Sequence, residues 1–164
     1  MSLLDHLDRA ALAAIYALAT GLRSLIWRIR RPMLIGVRAL VVREHTVLLI
    51  RHRFGRTPWA LPGGGVERFE RMAAAAQREA SEESGIHVTV QAFLGLYERF
   101  GGGVSNYIGV YVCTPTNEPD PPRSLEIAEA RFFSFDALPR GLDPGSRRRI
   151  EEYRRGEHGL ARPW

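Results

Sequence analysis

The stretch from Gly64 to Ile86 constrains this chain more than any other, because glutamates recur in it at helical spacing. Glu79, Glu82 and Glu83 stand at i, i+3 and i+4, so a helix places them on one face. Like charges four residues apart oppose helix formation by about 0.2–0.5 kcal/mol per pair. The pattern therefore predicts that a cation lies among these carboxylates.

A hard divalent ion such as Mg²⁺ fits this position, since it takes oxygen ligands and is usually held by a few carboxylates together with substrate phosphates. Arg78 stands four residues before Glu82 and can orient one carboxylate from the flank. Residues 61–65 (LPGGG) predict a turn whose backbone can approach a ligand or offer a carbonyl to a metal. Gly85 stands where a helix C-terminus favours a positive φ. The alternative is a solvated acidic helix with a glycine cap, which three carboxylates alone would favour.

The whole stretch resembles the Nudix box, G-x5-E-x7-R-E-U-x-E-E-x-G-U, where U is an aliphatic residue. Every fixed position is matched, although Ala80 is smaller than the usual aliphatic residue. Several fixed positions at fixed spacing make the match specific. The resemblance covers about residues 34–140. It implies an α/β fold, the Nudix α/β/α sandwich with a mixed β-sheet.

The resemblance also implies a function, that of a divalent-metal-dependent pyrophosphohydrolase. Such an enzyme cleaves a nucleoside diphosphate linked to another moiety X, with Mg²⁺ as the cofactor and Mn²⁺ as a substitute. Glu82 and Glu83 are the implied primary metal ligands, with the Gly63 carbonyl beside them. Glu79 is implied to be a ligand or the general base, and these two roles stay open. Arg78 is implied to orient the glutamates and completes the expected catalytic set.

Other positions of the resemblance carry structural or secondary roles. Gly64, Glu70 and Gly85 match fixed positions of the box, and Glu70 is expected to brace the loop through Arg78. Residues 124–133 resemble the segment that places a further glutamate at the site in many relatives. This makes Glu126 and Glu129 additional acid or base candidates. The number of metal ions and the choice of nucleoside diphosphate derivative stay open.

Two other functions compete with hydrolysis. A non-catalytic Nudix domain would bind a nucleotide ligand as a regulator, but such relatives usually lose box glutamates and this chain keeps them. The net charge of +5 and the arginine clusters at 28–31, 51–56 and 147–155 favour anionic partners. RNA binding is one such interpretation, yet no motif of interleaved aromatic and basic residues supports it. The enzyme is therefore the favoured function.

Residues 1–31 are predicted to form an amphipathic helix that precedes a Nudix domain at 32–164. Apolar residues recur in steps of three and four from Leu4 to Ile29. Asp5 and Asp8 stand where a secretory signal is basic, and the uncharged run that follows is shorter than the roughly 20 residues that span a bilayer. Packing on the Nudix domain or on a second copy, as a homodimer, is favoured over an anionic membrane surface. A cytoplasmic location is expected.

The rest of the chain predicts alternating strands and helices. Strands are expected at 34–42, 47–53, 88–100 and 104–114 and at Phe132-Phe133, and the single cysteine, Cys113, is expected to be a buried residue of one strand. A helical turn is expected at 136–139 and a terminal helix at 144–155, capped by Asp143. The tail after His158 is expected to be frayed.

Overall fold

The structure is a computed structural model that describes residues 32–53, 59–120 and 126–164, together with residue 21. The predicted helix over 1–31 lies outside the described residues, apart from residue 21, and the boundary between 31 and 32 stays a prediction. The elements, in chain order, are β1 (Met33–Arg43), β2 (Thr46–His52), β3 (Trp59–Ala60), α1 (Met72–Ser84), β4 (Val88–Gly101), β5 (Val104–Pro115), β6 (Ile127–Ser134), α2 (Pro144–Arg154) and β7 (Leu160–Pro163).

The strands form one mixed sheet in the order β3-β2-β1-β5-β4-β7, with β6 paired to β2. The β1–β2 hairpin is antiparallel, with Val42 opposite Val47, and β6 runs antiparallel along the length of β2. The β4–β7 pair is parallel. The register of β2 against β6 shifts between Arg51 and His52, so that Ile127 rather than Ala128 lies opposite His52.

The sheet has a hydrophobic core on each face, because side chains alternate along its strands. On one face, Leu48 and Ile50 of β2 cluster with three fully buried alanines of α1, Ala75, Ala76 and Ala80. These small side chains let the helix lie close to the sheet. On the other face, Val47 and Leu49 cluster with Ile150 of α2. The predicted α/β fold, a mixed sheet with helices on both faces, is confirmed.

By contact density the chain separates into two compact units. One comprises residues 1–33 and 100–105, and its described part includes a turn with positive φ at Gly102 and Gly103 and a hydrogen bond from Ser105 N to Pro32 O. The other comprises residues 34–99 and 106–164 and contains α1 and α2. Among the residues that the structure describes, no helix is long and apolar enough to cross a membrane.

One local prediction is wrong, and a second is displaced along the chain. The tail after His158 is not frayed, because β7 pairs in parallel with β4 and Trp164 N donates to Glu98 O at 2.8 Å. The helical turn expected at 136–139 lies earlier, at 134–137, where Ala137 N donates to Ser134 O at 3.0 Å. The terminal helix and its cap are as predicted, with Ser146 N donating to the Asp143 side chain at 2.7 Å.

Candidate active site

The glycine loop before α1 lies along the first half of β1. Ala39 N donates to Pro62 O and Val37 N donates to Gly64 O, both at 2.9 Å. A Cβ on Gly64 would lie 2.5 Å from a carboxylate oxygen of Glu79. A side chain at this position would displace that carboxylate, so the glycine leaves room for Glu79. The loop and the helix are therefore in direct contact at the start of the glutamate cluster.

Arg78 is the centre of a hydrogen-bond network that joins the loop to the helix. Its Nε and Nη2 donate to the two carboxylate oxygens of Glu70, at 2.8 and 2.9 Å. Its Nη2 also donates to Gly65 O, and its Nη1 donates to Glu79 at 2.9 Å and to Glu82 at 3.1 Å. The contact predicted between Glu70 and Arg78 is present. The cation expected among the carboxylates is, in part, this guanidinium.

The network also sets the protonation of Glu70. Hydrogen bonds from Arg78, and then the bond that the Glu67 backbone N–H donates, lower the pKa of Glu70 to about 2. The Glu70 carboxylate in turn raises the pKa of Arg78. Both groups therefore stay charged across the physiological range, so the brace between loop and helix is permanent.

Glu83 lies apart from this network and is partly buried. Its Oε2 accepts a hydrogen bond from Gly63 N at 2.7 Å. Burial raises the pKa of Glu83 to about 7, and the negative charges of Glu79 and Glu126 add to this effect. The Gly63 N–H and the positive charge of Arg38 oppose it. Burial thus keeps the Glu83 carboxyl protonated to a higher pH than an ordinary glutamate, because the nearby positive charge only partly offsets burial.

The three box glutamates share α1 but their carboxylates do not converge. Within the described ranges, no group of three acidic, histidine or cysteine side chains is arranged to hold a metal ion. The reason is local, since Arg78 draws Glu79 and Glu82 to itself while Glu83 turns to the Gly63 N–H. The atoms with which these residues could ligate a metal are nevertheless all oxygens, and Mg²⁺ prefers oxygen ligands.

The two further acid or base candidates have different positions. Glu126 O accepts from Arg53 N at 2.8 Å, and the Glu126 charge acts on both Glu83 and His52. Glu129 instead lies opposite Arg51 in the sheet and forms ion pairs with Arg51 at 3.1 Å and Arg131 at 3.2 Å. The structure therefore brings Glu126, but not Glu129, to the glutamate cluster.

The pairing of Glu129 also identifies the face on which it lies. The Arg51 and Arg131 guanidinium groups stack over Trp59, and Trp59 belongs to the core on the α2 face. The box helix covers the opposite face. Glu129 cannot reach the α1 glutamates from there, because the sheet separates them.

Two residues near the glutamates have no place in the box motif. Arg38 of β1 donates from Nη1 to Gly63 O at 2.5 Å and to Leu61 O at 3.2 Å. His52 has a pKa lowered by burial and then by the charge of Arg38. The one signal of Arg38 in the sequence is a charge within an aliphatic strand, and the approach of Arg38 to the loop depends on the tertiary structure.

Gly85 ends α1 with φ 68° and its N–H donates to Ser81 O. A Cβ at this position would lie 1.9 Å from Asp120 O. The loop after β5 is held against the end of the helix, since Asp120 N donates to Ser84 O and the Asn117 side chain donates to Gly85 O. Gly85 is therefore required both for its left-handed conformation and for the space it leaves.

Comparisons with known proteins agree with this geometry. The model of the NUDIX domain family matches residues 32–153. A Bacillus subtilis (strain 168) protein, provisionally named as an 8-oxo-dGTP diphosphatase, is 28% identical over 123 residues, which are 74% of this chain and 80% of that protein. An ADP-ribose pyrophosphatase of Methanocaldococcus jannaschii is 28% identical over 130 residues, 76% of this chain and 75% of that protein. Other curated relatives are matched over 36–52% of their own length.

Solved structures match the fold as well. The crystal structure of a MutT NUDIX hydrolase from Burkholderia pseudomallei has a TM-score of 0.66 and 27% sequence identity, and the match covers 73% of this chain and 97% of that one. The family match spans β1 to β6 and α1, and the box residues occupy the loop and helix as their spacing predicts. The chain therefore belongs to the Nudix family, as a hydrolase of phosphate anhydride bonds.

Proposed function

We propose that this chain is a divalent-metal-dependent pyrophosphohydrolase that cleaves a nucleoside diphosphate linked to another moiety X. The observation that carries the proposal is Glu83, a partly buried carboxylate that accepts from Gly63 N and has a pKa raised to about 7. It lies beside the Gly63 peptide, on the same helix as Glu79 and Glu82. A partly buried acid of this kind is favourable to a bound cation, because the cation restores the charge that burial opposes.

Mg²⁺ fits this group of residues because the ligands that they offer are carboxylate and carbonyl oxygens. The carboxylates of Glu79, Glu82 and Glu83 and the carbonyl of Gly63 would hold it, with Mn²⁺ as a substitute, since hard divalent ions take oxygen ligands. Glu82 is the most exposed of the three glutamates, with 59% of its side chain accessible, against 13% for Glu79. When bound, the ion neutralises charge on the phosphoryl oxygens and lowers the pKa of water.

The residues of the chain then have separate tasks. Arg78 orients Glu79 and Glu82 and ties them to Gly65 of the loop. Glu79 is a ligand or the general base, and Glu126 is the second candidate for the base because its charge acts on Glu83. Glu129 is left out of this proposal, since its two arginine partners hold it on the other face of the sheet.

The substrate is proposed only as a class. Relatives are named for 8-oxo-dGTP and ADP-ribose, and both contain the phosphate anhydride of a nucleoside diphosphate. We therefore propose a nucleotide derivative as the substrate, and a cytoplasmic location. The alternative of a regulatory nucleotide-binding domain is less favoured, because all the box glutamates are present and Arg78 organises two of them.

The test is a screen of the purified full chain against nucleoside diphosphate derivatives with Mg²⁺ and Mn²⁺, together with Glu83→Gln. This substitution removes a charge and little volume, so we expect kcat to fall by orders of magnitude with the fold retained. Glu67→Gln is the matched control, because Glu67 is an exposed glutamate at a variable position of the box. A Glu83→Gln protein that keeps near wild-type turnover, or a wild type that hydrolyses none of the derivatives, would refute the proposal.

A further inference from the structure

Arg38 donates to a carbonyl of the glycine loop that the backbone of β1 does not reach. The backbone N–H of Val37 donates to Gly64 O, and that of Ala39 donates to Pro62 O. These two carbonyls lie on either side of Gly63. The Gly63 carbonyl falls between these two bonds and accepts instead from Arg38 Nη1, at 2.5 Å. The same nitrogen reaches Leu61 O at 3.2 Å. The Arg38 side chain therefore supplies the donor for a carbonyl that the backbone pairing between β1 and the glycine loop leaves out.

The Gly63 peptide is consequently held from both ends by groups of opposite charge. Its N–H donates to the Glu83 carboxylate and its carbonyl accepts from the Arg38 guanidinium. The positive charge of Arg38 also reaches beyond this peptide, since it lowers the pKa of Glu83 and the pKa of His52. Arg38 is thus a positive charge that acts on Glu83, while Arg78 donates to Glu79 and Glu82.

We propose that Arg38 is a positioning residue and the internal cation of this site, which holds the Gly63 carbonyl until a divalent ion takes its place. The inference rests on the proposed function, because it gives the Gly63 carbonyl and Glu83 to the metal. Both groups attract either cation, and two cations a few ångströms apart repel each other. The guanidinium and the divalent ion therefore compete, and the ion binds more weakly than the oxygens alone would allow.

The competition has a consequence that a purely structural arginine would not produce. Arg38→Met removes the charge and the donors but retains most of the aliphatic stem, so it should tighten metal binding by about tenfold. Arg38→Lys keeps the charge and should bind metal within about twofold of the wild type. In the metal-free state, Arg38→Met should also unfold at a lower temperature, because two loop carbonyls lose their donor.

The experiment measures the Kd for Mn²⁺ by electron paramagnetic resonance of the full chain, without substrate. Arg43→Met is the matched control, since Arg43 lies on the same strand but pairs with Glu118 and stacks on Phe132. It should leave the Kd unchanged. Arg38→Gln, which is uncharged but keeps a donor, replaces Arg38→Met if that variant does not fold, and it should also bind Mn²⁺ more tightly than the wild type.

The outcomes separate this inference from the proposed function. If wild-type Mn²⁺ binding is lost in Glu83→Gln but the uncharged Arg38 variants bind no tighter than the wild type, the proposed function stands and the role of Arg38 is wrong. If the wild type binds no Mn²⁺ that depends on Glu83, the metal site itself is wrong, and the inference falls with it. Tighter binding in the uncharged variants, with Arg38→Lys unchanged, supports the competition.

Discussion

Arg78 grips Glu70 with two parallel hydrogen bonds, from Nε and Nη2 to the two carboxylate oxygens, at 2.8 and 2.9 Å. A planar guanidinium makes this pair and a lysine ammonium cannot. Arg78→Lys should therefore retain the charge but loosen the loop and both glutamates that Arg78 contacts. We expect kcat to fall by about tenfold or more. Steady-state kinetics of Arg78→Lys against Arg71→Lys, an exposed arginine just before α1, would show this. Equal losses in the two variants would contradict it.

The raised pKa of Glu83 predicts a pH dependence of stability. The pKa of Glu83 in the folded chain, about 7, is above the ordinary glutamate value of 4.5, so folding favours the protonated form. The contribution is complete below about pH 4.5 and is lost as the pH rises through 7. It amounts to about 2–4 kcal/mol. Metal-free wild type should therefore lose Tm between pH 5 and pH 8 relative to Glu83→Gln, in which the position does not titrate. Parallel Tm curves for the two proteins would be evidence against the raised pKa.

Bound metal should also shift the pH at which Glu83 ionises, and this shift should be visible in the pH dependence of the rate. Carboxylate ligands must be deprotonated to bind the ion, so the rate should rise from acidic into alkaline pH. Saturating Mg²⁺ favours ionised Glu83, and the acidic limb of the kcat/KM profile should shift to lower pH as Mg²⁺ is titrated. Profiles at several fixed Mg²⁺ concentrations measure this shift. A limb that does not move would mean that the titrating group is uncoupled from the metal, and His52 would then be the first residue to substitute.

Gly85→Ala should destabilise the fold, because the position combines φ 68° with contact against Asp120 O. Gly156→Ala is its matched control, since Gly156 has φ 72° and open space around its would-be Cβ. In both variants the alanine must adopt a left-handed backbone conformation, which lowers the free energy of unfolding by about 1 kcal/mol. Only Gly85→Ala also displaces the loop after β5, so its loss of unfolding free energy in urea should be larger by about 1–3 kcal/mol. Equal losses would show that the loop moves away without cost.

The buried ion pair of α2 holds the C-terminal strand. Arg149 is 1% exposed and Glu152 is 3% exposed, and Arg149 Nη2 donates to Glu152 at 2.8 Å. Glu152 also accepts from Tyr97 of β4, and Arg149 donates to Pro163 O of β7. Glu152→Leu leaves a buried guanidinium unpaired and should cost about 3–5 kcal/mol.

Removing both charges should cost less than removing one, so the double variant Arg149→Met/Glu152→Leu should recover part of the lost stability. Urea unfolding of the single and double variants gives the comparison. Arg154→Met, which breaks the exposed pair with Asp136, is the control and should cost less than about 1 kcal/mol. A double variant as unstable as Glu152→Leu would mean that the pair is required for more than its own neutrality.

Local spacing determined much of this protein. Arg78, Glu79, Glu82 and Glu83 lie within six residues on one helix, so the box helix and its glycine cap were predictable from helix geometry. Glu70 lies just before this helix begins at Met72, and its brace to Arg78 was implied by the resemblance to the Nudix box. The alternating strands followed from hydrophobic periodicity, and the mixed sheet was implied by the same resemblance.

Only the tertiary structure decided between Glu126 and Glu129. Glu129 lies opposite Arg51 in the regular register of β2 and β6, and the register shift that follows places Ile127, not Ala128, opposite His52. Because side chains alternate along a strand, a slip of one residue reverses the face each of them occupies. The sequence of β6 carries no signal for that slip, since it arises from pairing with a strand about 75 residues earlier in the chain.

The same limit applies to Arg38 and to the C-terminal strand. Arg38 meets the Gly63 carbonyl across 25 residues of chain, and β7 pairs with β4 across about 65 residues. Neither contact leaves a periodic pattern, because each depends on where separate elements come to lie. The sequence by itself therefore determined the carboxylates of the site and Arg78, and the packing of β1 against the loop brought Arg38, the second cation, to act on Glu83.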